Sequence, residues 1–298
     1  MDNTNKFALN YLTFLVKHDI INQMLSKEVL RLTDLSEYNI NDYDRPSVAV
    51  DIVAFTVRKT PCESYRHLSG VNLSVLMVKR TDEPYKNFLS LPGGFAVRNE
   101  TLENTANRKL FEKTGVSDVP LSLLCNSSLL GRDPRGWIIS CAYWTLVKNS
   151  CAVITSKNAE WYDVQLECGD EVRLTLTSNN GDKKTALFEI SGNIELYNEA
   201  VKIKTLSCDS IAFDHAEIIA RAIIQLRNSI EQPYAAFRLL PDLFTLTEIQ
   251  QIYETILDKP LLMANFRRKI IPYVEETNKT ESGAGHRPSK LFRAAKRT

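Results

Sequence analysis

The sequence predicts an α+β chain in two parts: a mixed sheet with helices on its faces, then a small basic module of helices and a hairpin. Three observations carry that expectation. Val48, Val50 and Ile52 alternate with smaller or polar residues, and a second such run spans Val71–Val78, the period-two pattern of paired strands. A tight Leu91-Pro92-Gly93-Gly94 turn leads to residues 101–114, where Leu102, Ala106 and Leu110 recur four apart on one helix face. Residues 262–298 hold nine Lys/Arg against three Glu, a local +6 that leaves −5 for the rest of a chain with formal net charge +1. That asymmetry points to an acidic body carrying a phosphate-seeking module.

The chain has 298 residues, room for one large domain or two ordinary ones. Residues 7–34 mix Leu, Ile, Phe and Val with polar residues and read as one or two amphipathic helices, with polar residues 37–45 as a link. The helix at Thr101–Thr114 stops at Gly115. Trp137–Val147 is almost continuously apolar, as a buried strand is. Residues 165–206 read as further strands around Asn179-Asn180-Gly181-Asp182, a hairpin-turn signal. A helix from about Asp214 to Ile230 ends before Pro233. Three regions follow: a helical extension at 1–42, a body at 43–232 with an expanded strand region at 165–206, and a C-terminal module at 233–298.

In that module Thr245-Leu246-Thr247-Glu248 has the spacing of a capping box and opens a helix through Leu257. Asp258-Lys259-Pro260 breaks it, and a second helix runs from about Met263 to Ile271. Residues 274–293 then read as two short strands around a loop containing Gly283 and Gly285. Helix, short turn, basic helix and basic hairpin is the order of a winged helix-turn-helix, so double-stranded DNA is the expected partner. Arg267, Arg268 and Lys269 are consecutive and fan over more than half the helix circumference. They cannot all face one groove: some are expected on phosphates and one at a guanine edge. Lys279, His286, Arg287 and Lys290 are expected beside the backbone or the minor groove. RNA binding by the basic tail is a weaker alternative.

Composition excludes several classes. Hydrophobic and charged contents of 44% and 24% are those of a globular protein. The first ten residues are polar and do not read as a signal peptide, and no apolar run approaches the ~20 residues a bilayer span needs. The six cysteines form no C-x-x-C pair, which argues against a zinc or redox motif. They read as reduced thiols of the core, Cys141 for example, and a cytoplasmic location follows.

The stretch Gly94–Val116 carries the most specific motif. Gly94, Glu100, Arg108, Leu110, Glu112, Gly115 and Val116 fall in register with the Nudix box, in which Gly, five residues, Glu and seven residues lead to Arg-Glu-aliphatic-x-Glu-Glu-x-Gly-aliphatic. Lys109 and Lys113 stand where that pattern has glutamates. Residues 109, 112 and 113 share one side of a helix, where active members gather hard divalent cations on three carboxylates. Here Glu112 alone remains, and two ammonium groups repel Mg²⁺ rather than bind it. Catalysis is therefore not expected. Glu112 is expected to pair with Arg108 or Lys109, worth about 0.3 kcal/mol at helical spacing.

Further segments resemble one family. Tyr43–Val48, Arg108–Gly115, Arg132–Trp137, Ala212–His215, Leu239–Pro241, Phe244–Leu246 and Asn265–Lys269 are similar to Nudix-related transcriptional regulators (NrtR-like), over residues 43–293. The resemblance implies a Nudix α/β/α sandwich followed by a winged helix. It also implies a homodimeric repressor of NAD-metabolism genes that uses ADP-ribose as effector, while some branches respond to sugars. On that reading Arg80, Gly93, Gly94, Glu112, Arg132, Asp133 and Arg135 are the ligand-contact candidates, no cofactor is required, and no catalytic residue is assigned. Guanidinium forks suit phosphate oxygens, and two glycines let backbone amides approach an anion. Arg132 and Arg135 have a second reading, as partners of Asp133 or as loop-to-helix contacts. His215 is expected to be structural, capping or packing its helix. The rival function is a Mg²⁺-dependent hydrolase of ADP-ribose or a nucleotide sugar, with Glu112 as the residual metal ligand.

Overall fold

The apolar run that opens the body becomes β1 (Ser47–Lys59), buried on both faces. It pairs antiparallel with β2 (Val71–Lys79), with Phe55 opposite Val75. The two strands are paired as expected, but through the second half of β1, residues 55–59, and not through the Val48–Ile52 run. The computed structural model describes residues 38–59, 70–169, 171–191, 201–230, 234–281 and 288–296. The helices expected within 7–34, Cys62, Pro233, Gly283, Gly285, His286 and Arg287 lie outside the described residues. The chain divides into two compact units, Met1–Arg45 and Pro46–Thr298. In the first, Asn39 caps a single turn at Ile40–Asp42 and the Tyr38 and Tyr43 rings stack at 5.9 Å.

In the second unit, β3 (Leu89–Ser90) pairs with β2 and β4 (Gly93–Phe95) with β1. Further strands are β5 (Ser122–Ser127), β6 (Ile138–Leu146), β7 (Ala159–Cys168), β8 (Val172–Thr177), β9 (Lys183–Ser191) and β10 (Lys202–Cys208). They assemble in the order β10-β9-β8-β7-β2-β1-β6-β5. All neighbours are antiparallel except β1 and β6, which run parallel with Ser47 opposite Ile138. The sheet is therefore mixed, as expected. The strands expected within 165–206 are present, the first starting at Ala159, and they widen the same sheet; Ser178 and Gly181 close the β8–β9 turn, Gly181 at φ 86°. β6 departs from the expectation of full burial: it alternates in its first half, and Trp137 just before it is 53% exposed. Among the described cysteines Cys125 and Cys141 are half-buried, but Cys151, Cys168 and Cys208 are exposed, so the core-thiol reading holds for none of these three.

Helix α1 (Leu102–Thr114) has Thr101 as N-cap, accepting from the Asn104 amide, and Gly115 in the left-handed region at φ 87° as its stop. A Cβ at Gly115 would also lie 2.1 Å from Thr155 Oγ1. Leu110 and Ala106 of α1 pack with Val50, Ile52 and Ala54 on one face of β1. Helix α2 (His215–Ser229) covers the other face, where Val53, Phe55 and Val57 meet Ile219 and Ile223. Alternation along β1 thus sorts its side chains between two helices.

A short α3 (Tyr234–Phe237) precedes α4 (Leu246–Leu257) and α5 (Met263–Ile270), then the hairpin β11 (Val274–Glu281) and β12 (Ser289–Ala294). The capping box is complete: Thr245 Oγ1 accepts from the Glu248 amide while Glu248 accepts from the Thr245 amide. Asp258, at φ 53°, ends α4. Phe244 and Phe292 exchange two backbone hydrogen bonds, which tie the hairpin back to the start of α4. One core runs without a break from Phe55 and Ile223 to Ile249, Phe266 and Phe292.

Candidate functional site

The loops at one edge of β1 and β2 enclose a cavity of about 420 Å³. All seven ligand-contact candidates, Arg80, Gly93, Gly94, Glu112, Arg132, Asp133 and Arg135, line it. Their chemistry within it differs sharply.

The floor is a closed set of buried charges. Asp51 accepts from Ser140 Oγ at 2.6 Å and faces His215 Nε2 at 3.3 Å and Arg132 Nη2 at 3.4 Å. Arg132, 9% exposed, also forks onto Asp214 at 2.9 and 2.6 Å, and Asp214 accepts in addition from Ser127. Burial pushes the Asp51 carboxyl up, but the His215 imidazole, the Ser140 hydrogen bond and the Arg132 charge outweigh it and hold it down to about 2. The Leu91 amide donates to His215 Nδ1 at 2.9 Å, which leaves Nε2 to donate to Asp51. His215 is therefore a positioning group, in keeping with the structural role expected of it. Arg132 takes the loop-to-helix role: its guanidinium is spent on two carboxylates.

The wall is cationic and aromatic. Arg135 forks onto Asp133 at 2.9 and 2.6 Å, and its guanidinium lies over Phe95 and Phe213 at 5.0 and 5.4 Å. Arg80 lies over Phe213 at 4.9 Å and donates to the Pro84 carbonyl at 2.8 Å. Burial, then the neighbouring Arg135 charge, pushes the Arg80 guanidinium down. Phe213 is held between these cations in the left-handed region at φ 56°, a conformation that costs an aromatic residue about 1–2 kcal/mol. The segment before it pins the turn, because Leu89 exchanges hydrogen bonds with Ser210 and Ala212 at 2.9 and 2.8 Å.

The glycines serve close packing. A Cβ at Gly93 would lie 2.3 Å from the Val50 carbonyl oxygen, and one at Gly94 would lie 2.9 Å from Lys109 Cε. At Gly93 the β1 backbone excludes a side chain, whereas at Gly94 the near atoms belong to the flexible Lys109 side chain.

On α1, Arg108 forks onto Glu100 at 2.9 and 2.6 Å, and this, with the Thr105 hydrogen bond, outweighs burial and leaves the Glu100 carboxyl at about 2. Glu112 accepts from Lys109 at 2.8 Å on one oxygen and from Arg108 at 3.1 Å on the other. Those two hydrogen bonds hold its carboxyl below the usual range. A divalent cation does not fit these residues: positions 109 and 113 offer ammonium groups, and both Glu112 oxygens are already engaged. Among the described residues no three His, Cys, Asp or Glu side chains come together as metal ligands.

At the other end of the unit, Arg267, Arg268 and Lys269 are all exposed on α5, whose buried side is Phe266 and Ile270. Arg268 is bonded to Asn265 at 2.9 Å, and among the described residues none of the three lies in an ion pair. Lys279 on β11 is exposed, and Lys290 on β12 is paired to Glu276 at 2.6 Å. The spread over the helix is as expected; the pairing of Lys290 was not foreseen.

Sequence reasoning missed Asp51, Ser140, Asp214 and the two phenylalanines. One signal was available: Asp51 is a lone carboxylate inside an apolar strand, and a buried charge needs partners.

Comparison with known proteins matches residues 68–171 to the NUDIX domain and residues 236–294 to the NrtR DNA-binding winged helix domain. The chain is 31% identical over 268 residues to the ADPR responsive transcriptional repressor NtrR of Acinetobacter baylyi, covering 88% of this chain and 87% of that one. Its fold is similar to a MutT/nudix family protein of Enterococcus faecalis, with TM-score 0.66 and 25% identity over 90% of this chain and 93% of that one. It is also similar to NrtR of Shewanella oneidensis, with TM-score 0.56 and 25% identity over 83% and 94% of the two chains. With a NUDIX body and an NrtR winged helix in one continuous match, the chain belongs to the NrtR family.

Proposed function

We propose that this protein is an ADP-ribose-responsive transcriptional repressor acting in the cytoplasm. The observation that carries this reading is the match to the Acinetobacter repressor, which spans both the cavity and the winged helix. The cavity supports it: cations without an acidic partner among the described residues suit a diphosphate. Arg80 and Phe213 are the ligand contacts on this reading, and Arg132, Asp133 and Arg135 hold them in place.

Residues 43–232 form the effector domain and 233–298 the DNA-binding domain. Two copies present two α5 helices to a near-palindromic site, as a homodimer, with genes of NAD metabolism as the regulated set. Effector binding then weakens operator binding through a coupling free energy between the two sites. Fluorescence anisotropy on duplex DNA from the protein's own promoter region tests this directly. Salt-sensitive, sequence-selective binding that ADP-ribose weakens at least about tenfold is expected. Binding without sequence preference, or indifference to ADP-ribose alongside a panel of sugars, overturns it.

A further inference from the structure

We propose that Lys113, with Lys79 and Arg80, supplies the positive charge that a divalent cation supplies in metal-binding Nudix proteins, so that this cavity holds a diphosphate without metal. The inference rests on the effector reading above and specifies how that effector is bound.

The charges of the region divide into two groups. Arg108, Lys109, Arg132 and Arg135 each lie in an ion pair within 4.0 Å of a carboxylate. Lys79, Arg80 and Lys113 also line the cavity, and none of them has such a pair among the described residues. Lys109 and Lys113 replace carboxylates one turn apart yet do different things. The Lys109 stem runs along Gly94, and its ammonium group is bonded to Glu112. Together with Arg108 it neutralises the last carboxylate of the box. Lys113 is exposed and faces the same space as Arg80 with no acidic partner. Along α1 three cations, Arg108, Lys109 and Lys113, now stand against two carboxylates, Glu103 and Glu112. A box with glutamates at 109 and 113 would carry one cation against four, and only a metal ion would admit a diphosphate there.

The cationic side is also short of counter-charge. Burial and the adjacent Arg135 already disfavour the charged form of Arg80. An incoming dianion relieves that repulsion and gains charge-assisted hydrogen bonds from flexible ammonium groups on two separate elements, β2 and α1.

Calorimetric titration of the full chain tests the assignment, with ADP-ribose and inorganic pyrophosphate as parallel probes, each in EDTA and in Mg²⁺. The expected Kd for the wild type is the same in both buffers to within about twofold. K113E weakens binding in EDTA by about tenfold or more, as loss of a charged hydrogen bond does, while K113R stays near wild type. K113Q serves the same purpose if the circular dichroism of K113E shows that it does not fold. Binding that requires Mg²⁺, or K113E and K113Q binding as tightly as the wild type, overturns this inference and leaves the effector reading standing. Pyrophosphate binding in EDTA that is lost in K113E, without ADP-ribose binding, supports it and removes ADP-ribose as the effector. No binding of either probe overturns both.

Discussion

The cavity floor and the α5 surface use the same cationic side chain for opposite ends. Arg132 is buried and engaged by two carboxylates, so its geometry is set before any ligand arrives. Arg267 and Lys269 are exposed and lie in no ion pair among the described residues. A paired buried charge is a fixed part of the scaffold, because removing its partner leaves an uncompensated charge in low dielectric. An unpaired exposed charge contributes little to folding and stays available to an external phosphate. The difference teaches that counting arginines near a cavity does not identify its ligand contacts; the partners of each one do.

The largest effect expected from this contrast comes from Arg132→Ala, which strands Asp51 and Asp214 together. Urea unfolding of the variant is expected to show a loss of about 3–5 kcal/mol. A loss under about 1 kcal/mol breaks the comparison.

Acid sharpens it next. Asp51 is held at about 2 against 3.8, so its contribution is present above the unfolded value and is lost as pH falls from about 4 towards 2. That part of the stability amounts to about 2 kcal/mol. Asp51→Asn is expected to flatten the fall in melting temperature across that window, and a variant curve parallel to the wild type contradicts the network.

Between the two regions lies α2, whose 15 residues span about 22 Å. Its first turn holds His215 against Asp51, and near its last turn Arg227 donates to the Ile256 carbonyl of α4 at 3.0 Å and to the Leu166 carbonyl at 2.9 Å. Arg227→Met is expected to reduce the coupling between effector and operator by about 0.5–2 kcal/mol, measured as the ratio of DNA Kd with and without ADP-ribose. An unchanged ratio in a folded variant means that α2 does not transmit the signal.

The smallest effects fall on the winged helix. Arg293→Ala breaks an exposed pair with Glu275 at 2.7 Å and is expected to cost under about 1 kcal/mol of stability. Arg267→Ala is expected to leave stability unchanged yet lower the slope of log Kd against log salt by about 1. Equal salt slopes for these two variants sink the distinction between paired and free cations.

Much of the fold was legible before any tertiary contact. Thr101 and Gly115 bound α1, and Thr245, Glu248 and Asp258 bound α4, because caps and left-handed stops act within one turn. The runs opening at Val48 and at Val71 both became strands, and the two strands are neighbours, although it is residues 55–59 of β1 that pair with 71–75 while Val48–Ile52 lies against β4 and β6. The replacement of carboxylates by lysines was legible too, since charge at positions 109 and 113 is a local property of one helix face. The cavity's wiring was not. Asp51, Arg132, Ser140 and Asp214 are separated by 81, 8 and 74 positions in the chain, and no local period relates them. Nor did the sequence show that the β1 backbone comes close enough to exclude a side chain at position 93.

By itself, then, the sequence determined which segments are strands and helices, where they stop, and that the Nudix helix carries cations where carboxylates hold metal. These are decided over a few residues by backbone sterics, capping and side-chain period. Only the tertiary structure decided which cations are spent and which are free: Arg132 on Asp51 and Asp214, Arg135 on Asp133, Lys109 on Glu112, with Lys113 left over. The physical reason is that a buried charge is stable only opposite its partner, and partners meet across the sheet rather than along the chain.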